Sequence, residues 1–94
     1  MQDDDFEWDD DKAAQNTAKH GVSFERAARV FSDPFGVAEI DDREDYGEPR
    51  FIMVGMVEGD LIFVAYTERD GRIRIITARR ATKHEQDDYF QQNG

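Results

Sequence analysis

The sequence predicts an α+β fold, with a short N-terminal strand and two helices packed on an antiparallel meander of three to four strands, and a C-terminal helix. Three observations support this prediction. Residues 24–31 repeat apolar side chains at helical spacing, three later segments are rich in β-branched and aromatic residues, and short polar turns separate those segments. Ninety-four residues suffice for one core, so we expect a single domain over residues 1–94.

The N-terminal region carries signals for one short strand and one helix. Residues 1–5 are acidic and are expected to form a mobile tail. Phe6-Glu7-Trp8 alternates apolar and polar side chains at strand period, and Asp9 is a suitable N-cap for a helix that extends to about Lys19. Gly21 is expected to end this helix because glycine readily adopts the left-handed conformation of a C-cap.

A second helix is predicted directly after the first. Ser23 is its expected N-cap, and Asp33-Pro34 is its expected end, because the residue before a proline disfavours helical geometry. The apolar stripe that this helix would turn toward the core consists of Phe24, Ala27, Ala28 and Phe31. The two helices are expected to pack on the sheet.

The second half of the chain is predicted to form the sheet. Its three strong strand segments are Phe51 to Val57, Leu61 to Thr67 and Arg72 to Ala78, and Gly36 to Ile40 is a weaker fourth. The turns between the strong segments are short, polar and contain glycine, which favours antiparallel hairpins over crossovers. Within the last segment, alternation places Arg72 and Arg74 on one, solvated face and the intervening isoleucines on the other.

The last strand is expected to be followed by a turn and a final helix. The turn would carry Arg79 and Arg80, so that the arginines converge where strand meets helix. Thr82-Lys83-His84-Glu85 has the form of a capping box, and it predicts a helix from Lys83 to about Phe90.

Charge is distributed unevenly along the chain. The formal net charge is −10, which by itself argues against a nucleic-acid ligand, yet residues 69–83 hold six of the 12 Lys and Arg residues and one acid. The absence of cysteine excludes disulfides and thiolate metal sites. No signal peptide or membrane-spanning segment is recognisable, so a cytoplasmic protein is expected, and the two histidines are too far apart in sequence to indicate zinc.

Several short motifs, in order along the chain, resemble those of a known family, the BrnT toxins of bacterial toxin–antitoxin systems. They are F-E-W-D at 6–9, N-x-x-K-H-G-V-S-F at 16–24, V-F-x-D-P at 30–34, E-x-R at 48–50, T-E-R at 67–69 and I-R-I-I-T-A-R-x-A at 73–81. Each motif alone is unspecific, whereas the ordered set covers the chain from Phe6 to about Tyr89.

This resemblance implies a RelE-like fold and an RNA-cleaving toxin. It further implies that RNA cleavage, on or off the ribosome, halts translation. The expected partner is a BrnA-like antitoxin with a ribbon-helix-helix DNA-binding domain, so that DNA would be contacted only through the antitoxin. No cofactor and no membrane are implied.

Candidate catalytic residues follow from the chemistry of metal-independent RNA cleavage. That reaction needs a base for the 2′-hydroxyl, a cation for the phosphorane and an acid for the leaving 5′-oxygen. A guanidinium group remains charged and can donate hydrogen bonds to two phosphate oxygens at once. We therefore predict that Arg69, Arg79 and Arg80 bind phosphate. The remaining catalytic candidates are His20 for proton transfer, Lys19 for phosphate, Glu48 as base and Arg50 as its ion-pair partner.

RNA binding outside the reacting centre is predicted for Arg72, Arg74, Lys83, His84 and Tyr89. Each candidate also has a structural interpretation. The arginines could be solvated or paired with nearby acids, Lys19 and His20 could match the C-terminal end of a helix dipole, and Tyr89 could be a core aromatic.

Two functions therefore remain open from the sequence. The first is an endoribonuclease toxin silenced by an antitoxin that covers its arginines. The second is a catalytically inert module that binds an acidic or antitoxin-like partner through the same basic face.

Overall fold

The structure, a computed structural model, describes residues 1–93 and is α+β, as predicted. Five strands form one sheet and three helices pack on it. The elements are β1 (Phe6–Glu7), α1 (Asp10–His20), α2 (Phe24–Ala28) with a 3₁₀ turn (Arg29–Ser32), β2 (Val37–Ile40), β3 (Phe51–Val57), β4 (Asp60–Arg69), β5 (Arg72–Arg80) and α3 (Lys83–Asn93).

The antiparallel part of the sheet has four strands, within the predicted three to four, and the predicted N-terminal strand joins it at one edge. The order is β1-β5-β4-β3-β2, with β1 parallel to β5 and all other neighbours antiparallel. The pairing of β1 was not predicted: Phe6 and Glu7 align with Ile73 and Arg74, and the Ile73 N–H donates to the carbonyl of Asp5 at 2.9 Å. A parallel contact between residues this far apart leaves no local sequence signal.

Residues 1–5 are not a free tail in this structure, contrary to expectation. They fold back on β1 as a small hairpin, in which the Trp8 N–H donates to the carbonyl of Met1 at 3.1 Å and Gln2 bridges to Glu7. The Asp3 carboxylate closes the turn by accepting from the N–H groups of Asp5 and Phe6. Local side-chain hydrogen bonds of this kind are typical of Asp and organise the segment.

Caps define α1 and α2 where the sequence predicts them. Asp9 accepts from the Lys12 N–H at 3.0 Å, Ser23 accepts from the Arg26 N–H at 3.1 Å, and Gly21 ends α1 at φ 70°. Both helices lie on the same side of the sheet, which we call the first face. The core on this face consists of Trp8, Val22, Phe24, Ala27, Val30, Val57, Ile62, Val64, Ile75 and Ala78.

Two tight hairpins join β3, β4 and β5, which confirms the predicted meander. Glu58-Gly59 and Asp70-Gly71 are two-residue loops between paired strand ends, and all four residues have positive φ. This is the geometry of type I′ turns, whose twist matches that of the strands.

A bulge interrupts the pairing of β5 with β4. Tyr66 pairs with Ile75 and the preceding Ala65 pairs with Thr77, so Ile76 is an extra residue on β5. Such an insertion reverses the inside-outside alternation for every residue that follows it.

The bulge sets the orientation of the two arginines at the end of β5. Arg79 pairs with Phe63 and projects from the second face, opposite α1 and α2, where its guanidinium lies 3.8 Å from the Phe63 ring centroid. Arg80 pairs with Ile62 of the first-face core and therefore projects from the first face. Both residues lie in the strand rather than in the predicted turn.

The second face is covered only in part. α3 begins with the predicted capping box, in which the Thr82 N–H donates to Glu85 at 2.8 Å, and packs over residues that include Ile52, Val54, Phe63 and Ala65. The Tyr89 hydroxyl donates to Asp33 at 2.7 Å and holds the helix there. No helix within residues 1–93 has the length and apolar character needed to cross a bilayer.

Candidate functional site

The basic side chains of the second face extend along the sheet instead of converging. Arg72 and Arg74 share this face, as predicted, and the bulge adds Arg79. Arg69 and Arg72 are paired at the β4–β5 hairpin, whereas Arg79 lies seven positions further along β5, on the order of 20 Å away at strand rise. The prediction that the arginines meet at one point is therefore wrong, because a strand spreads its residues along its length.

A carboxylate lies between two arginines at the hairpin end of this face. Glu48 Oε2 accepts from Arg69 Nη2 at 3.0 Å, and Glu48 Oε1 lies 3.9 Å from Arg50 Nε. The side chains of Arg69, Glu48 and Arg50 are 47%, 30% and 27% exposed. We call these three residues the Glu48 cluster. It unites three predicted catalytic residues where a ligand from solvent can reach them.

Two neighbouring residues, Thr67 and Tyr46, hold the Glu48 cluster in place. Thr67, which is buried, donates from its hydroxyl to the carbonyl of Pro49 at 2.6 Å and fixes the chain between Glu48 and Arg50. The Arg50 guanidinium lies 4.1 Å from the ring centroid of Tyr46, and its Nε is buried without a hydrogen-bond partner among the described residues. Tyr46 was not predicted as a site residue, because it lies in a loop without periodic pattern.

The loop that presents Tyr46 is anchored by a buried carboxylate. Asp41, only 2% exposed in its side chain, accepts from Arg43 at 2.8 and 2.9 Å and from the Tyr46 hydroxyl at 3.3 Å. Hydrogen bonding from Arg43, which outweighs the opposing effect of burial, lowers the pKa of Asp41 to about 2.

The Asp41 carboxylate is expected to make folding sensitive to acid. A carboxyl group with a lowered pKa in the folded state stabilises the protein above its unfolded pKa, and this contribution is lost as the pH falls through the folded value. We expect a loss of about 1–2 kcal/mol between about pH 4 and pH 2, discounted because Arg43 is largely solvated. Urea unfolding of the wild type and of Asp41→Asn over this pH range measures the change in the free energy of unfolding. Asp42→Asn is the control, because Asp42 is exposed. If the wild type and Asp41→Asn showed the same pH dependence, the prediction would be wrong.

Arg72 and Arg74 are held by the N-terminal hairpin. Arg72 Nε donates to the carbonyl of Asp3 at 2.7 Å, and Arg74 Nη1 donates to Glu7 at 2.8 Å. Their predicted role in RNA binding therefore requires a phosphate to bind beside, or to displace, the Asp3 carbonyl and the Glu7 carboxylate.

Arg79 is tied to α3. It donates to both oxygens of Glu85 at 2.8 and 3.0 Å, a paired geometry that fixes the guanidinium plane over Phe63. Burial alone would raise the pKa of Glu85, but the hydrogen bonds from Arg79 and Thr82 hold it below its ordinary value. Arg79 thus links strand to helix and lies at the far end of the second face from the Glu48 cluster.

Arg80 is not part of the second face. It lies 3.3 Å from Asp60, which also accepts from Arg26 of α2 at 2.6 Å. The sequence prediction paired it with Arg79 for phosphate binding, but the side chains of consecutive residues in a strand project from opposite faces.

Lys19 and His20 lie at the free edge of β5. There they line a shallow cavity of about 310 Å³ with Ile76 and Thr77. Thr77 is five positions from Arg72, the pairing partner of Arg69, which is about 16 Å along the strand. The structure therefore does not bring His20 into hydrogen-bonding range of the Glu48 cluster.

The three remaining candidates belong to α3. Lys83 and His84 are largely exposed and face Asp87 and Asp88 one helical turn further on. Tyr89 is 6% exposed, and burial together with its hydrogen bond to Asp33 raises its pKa to about 12. Its ring is packed in the core and is not available to stack on a base, so the structural interpretation of Tyr89 holds.

One residue that sequence reasoning did not single out connects α1 to the sheet. The buried Asn16 amide donates to the carbonyls of Ala78 and Val22 at 2.8 and 2.9 Å and accepts from the Ala78 N–H at 3.1 Å. It thereby pairs with the edge of β5 that β1 leaves uncovered. The sequence feature that could have drawn attention to Asn16 was its position at the start of the N-x-x-K-H-G motif.

A comparison with protein families accounts for these motifs. The family model described as the ribonuclease toxin BrnT of type II toxin–antitoxin systems matches residues 8–85. The chain belongs to this BrnT family. A search of curated proteins finds no match.

Membership of the BrnT family makes the chain a ribonuclease toxin of a type II system and implies an RNA substrate and an antitoxin partner. The matched span begins at Trp8 and ends at Glu85. It includes the Glu48 cluster, Asn16 and Arg79, and it leaves out most of the N-terminal hairpin and of α3. Within residues 1–93, no three His, Asp or Glu side chains are grouped so as to hold a metal ion.

Proposed function

We propose that this BrnT-family toxin cleaves RNA at the Glu48 cluster by metal-independent acid/base chemistry and so inhibits translation. The observation that supports this proposal best is the position of the Glu48 carboxylate, which lies between the guanidinium groups of Arg69 and Arg50 on the open half of the sheet. A general base and fixed positive charge are two of the requirements of RNA cleavage, and here they are adjacent.

In this proposal Glu48 takes the proton of the ribose 2′-hydroxyl and Arg69 binds the phosphate. The 2′-oxygen then bonds to phosphorus and the bond to the 5′-oxygen breaks. The departing 5′-oxygen takes a proton from solvent water, which leaves a 2′,3′-cyclic phosphate and a 5′-hydroxyl end, and Glu48 returns its proton to the solvent. Arg69, the most exposed member of the cluster, supplies charge to the phosphorane, and Arg50 with Tyr46 orients the carboxylate.

The other basic residues of the second face and of the adjoining β5 edge are assigned to RNA binding. Arg72 and Arg74 lie beside the cluster, and Arg79 lies further along the same face. Lys19 and His20 of α1 lie at the free edge of β5. A span on the order of 20 Å corresponds to several nucleotides of extended RNA. The acidic remainder of the chain would repel RNA elsewhere and steer it to this face.

We further propose that the fold is RelE-like, that the protein acts in the cytoplasm, and that its partner is a BrnA-like ribbon-helix-helix antitoxin. The same positive charge that holds RNA can be covered by carboxylates of an inhibitor, so neutralisation is proposed to occur by occlusion of the second face. DNA would be contacted only by the antitoxin. A complex that leaves Arg69 and Arg79 accessible to solvent would refute occlusion.

Purified toxin incubated with a single-stranded RNA in EDTA tests the catalytic proposal. We expect cleavage to proceed in the chelator, to yield cyclic phosphate ends detectable by mass spectrometry, and to stop when the antitoxin is added in equimolar amount. RNA that stays intact with and without Mg²⁺, while the antitoxin binds tightly, would instead favour the inert binding module.

A further inference from the structure

The outer edge of β2 presents unpaired backbone groups. β2 pairs with β3 along Val37–Ile40, and within residues 1–93 no strand pairs with its other side. The Asp41 N–H donates inward, to the carbonyl of Arg50 at 2.8 Å. Because hydrogen-bonding direction alternates along an antiparallel strand, the N–H and C=O groups of Ala38 and Ile40 point outward.

The β2 edge has little protection against pairing. Lys and Pro, which commonly block the pairing of exposed edges, are absent from its sequence Val-Ala-Glu-Ile, and its one charged side chain, Glu39, can be matched by a basic partner. Its last residue, Ile40, is 71% exposed, and Phe35 just before the strand is 59% exposed. Large apolar side chains beside open backbone donors and acceptors are the features that an added strand would cover.

On the second face the edge adjoins a groove of about 400 Å³ between β2 and α3. Its apolar lining consists of Val37, Ile52, Val54 and Phe63. α3 and Arg79 cover part of this lining. The rest of the groove can still receive side chains of a partner segment that lies along β2.

The negative charge of the groove indicates which kind of partner segment could bind there. Glu85 is neutralised by Arg79 and Arg43 by Asp41. Among the described residues this leaves two groove carboxylates without an Arg or Lys partner: Glu39 on the β2 wall, and Asp88 on the α3 wall, which lies 3.4 Å from His84. Two negative walls disfavour RNA phosphate. A second copy of a chain with net charge −10 is disfavoured for the same reason.

We infer that the β2 edge is the docking site for an extended segment of the antitoxin that carries alternating apolar and basic side chains. The segment adds a sixth strand through the outward groups of Ala38 and Ile40, places Lys or Arg against Glu39 and covers Ile40 with an apolar residue. This inference rests on the antitoxin partnership of the proposed function and is independent of RNA cleavage. The antitoxin would thus contact the toxin at two places, the β2 edge and the arginines of the second face.

Calorimetric titration of the full chain with its full-length antitoxin tests the inference. Ala38→Pro removes an outward donor without touching the β2–β3 ladder and is expected to weaken binding at least about tenfold. Glu39→Lys reverses the charge and is expected to weaken binding by a similar factor, more at low salt. Asp11→Lys, the same charge change on exposed α1, is the control and is expected to stay within about twofold.

Circular dichroism and RNA cleavage by the free variants verify that they are folded. Wild-type affinity in folded Ala38→Pro and Glu39→Lys would overturn the inference. So would a dimer of the free chain that Ala38→Pro dissociates, because the edge would then belong to a second copy. Antitoxin binding that depends on β2 in a wild-type protein unable to cleave RNA would uphold this inference while refuting the catalytic proposal.

Discussion

Replacing Glu48 with glutamine is expected to lower the rate of RNA cleavage at least about 100-fold while leaving the fold intact. The amide keeps the size of the side chain and its contact with Arg69, but it cannot accept the proton of the 2′-hydroxyl. Arg69→Ala is expected to have an effect of at least the same size, because removal of a transition-state cation costs about 3 kcal/mol or more. Single-turnover cleavage of a labelled RNA measures both.

Two matched controls separate this site from a general effect of charge. Glu68→Gln makes the same change next to Arg69 on β4, but the Glu68 side chain projects from the opposite face to that of Arg69. Arg80→Ala removes an arginine that pairs with Asp60 on the first face. Both are expected to cleave within about threefold of the wild type. Full activity of Glu48→Gln, or loss of activity in Arg80→Ala alone, would move the site away from the Glu48 cluster.

Replacing Asn16 with aspartate is expected to destabilise the protein by about 3–4 kcal/mol, out of the 5–15 kcal/mol that holds a typical domain folded. The carboxylate loses the two hydrogen bonds that the Asn16 amide donates and places a buried negative charge against the carbonyls of Ala78 and Val22. Chemical unfolding at neutral pH, with an unchanged dependence on denaturant concentration, is the measurement.

Gln15→Glu is the control for Asn16→Asp. It makes the same amide-to-carboxylate change one position earlier in α1, where the side chain is exposed, and it is expected to alter the free energy of unfolding by less than about 0.5 kcal/mol. If the two variants unfolded at the same denaturant concentration, the Asn16 bridge would carry no stability.

Local chemistry made several elements predictable. Asp9, Ser23 and Thr82 cap helices with their own side chains, and Gly21 ends α1, so these boundaries depend on residues next to them in sequence. The hairpins follow from polar glycine-containing turns between apolar segments. The position of the helix ends was less predictable: α3 extends to Asn93, beyond the expected Phe90.

The candidate site was predictable in composition but not in arrangement. Glu48 and Arg50 lie two positions apart just before β3, and the ion pair that the sequence indicated between them brings Glu48 Oε1 to 3.9 Å from Arg50 Nε. Their contact with Arg69 joins residues 21 positions apart and depends on how β3 and β4 pair. The acidic partner of Arg74 was likewise not predictable, since Glu7 belongs to a strand that pairs in parallel from the other end of the chain. Pairing with a nearby acid was one interpretation of the sequence, and for Arg79 the structure confirms it with Glu85.

The sequence by itself determined the order of the elements, the caps and hairpins, the shared face of Arg72 and Arg74, and the family motifs. Each depends on neighbours within a few residues, where spacing fixes geometry. The tertiary structure alone decided which arginines lie on the same face of the sheet. Ile76 is an extra residue only relative to β4, so the bulge that turns Arg79 to the second face and Arg80 to the first exists only once the two strands are paired.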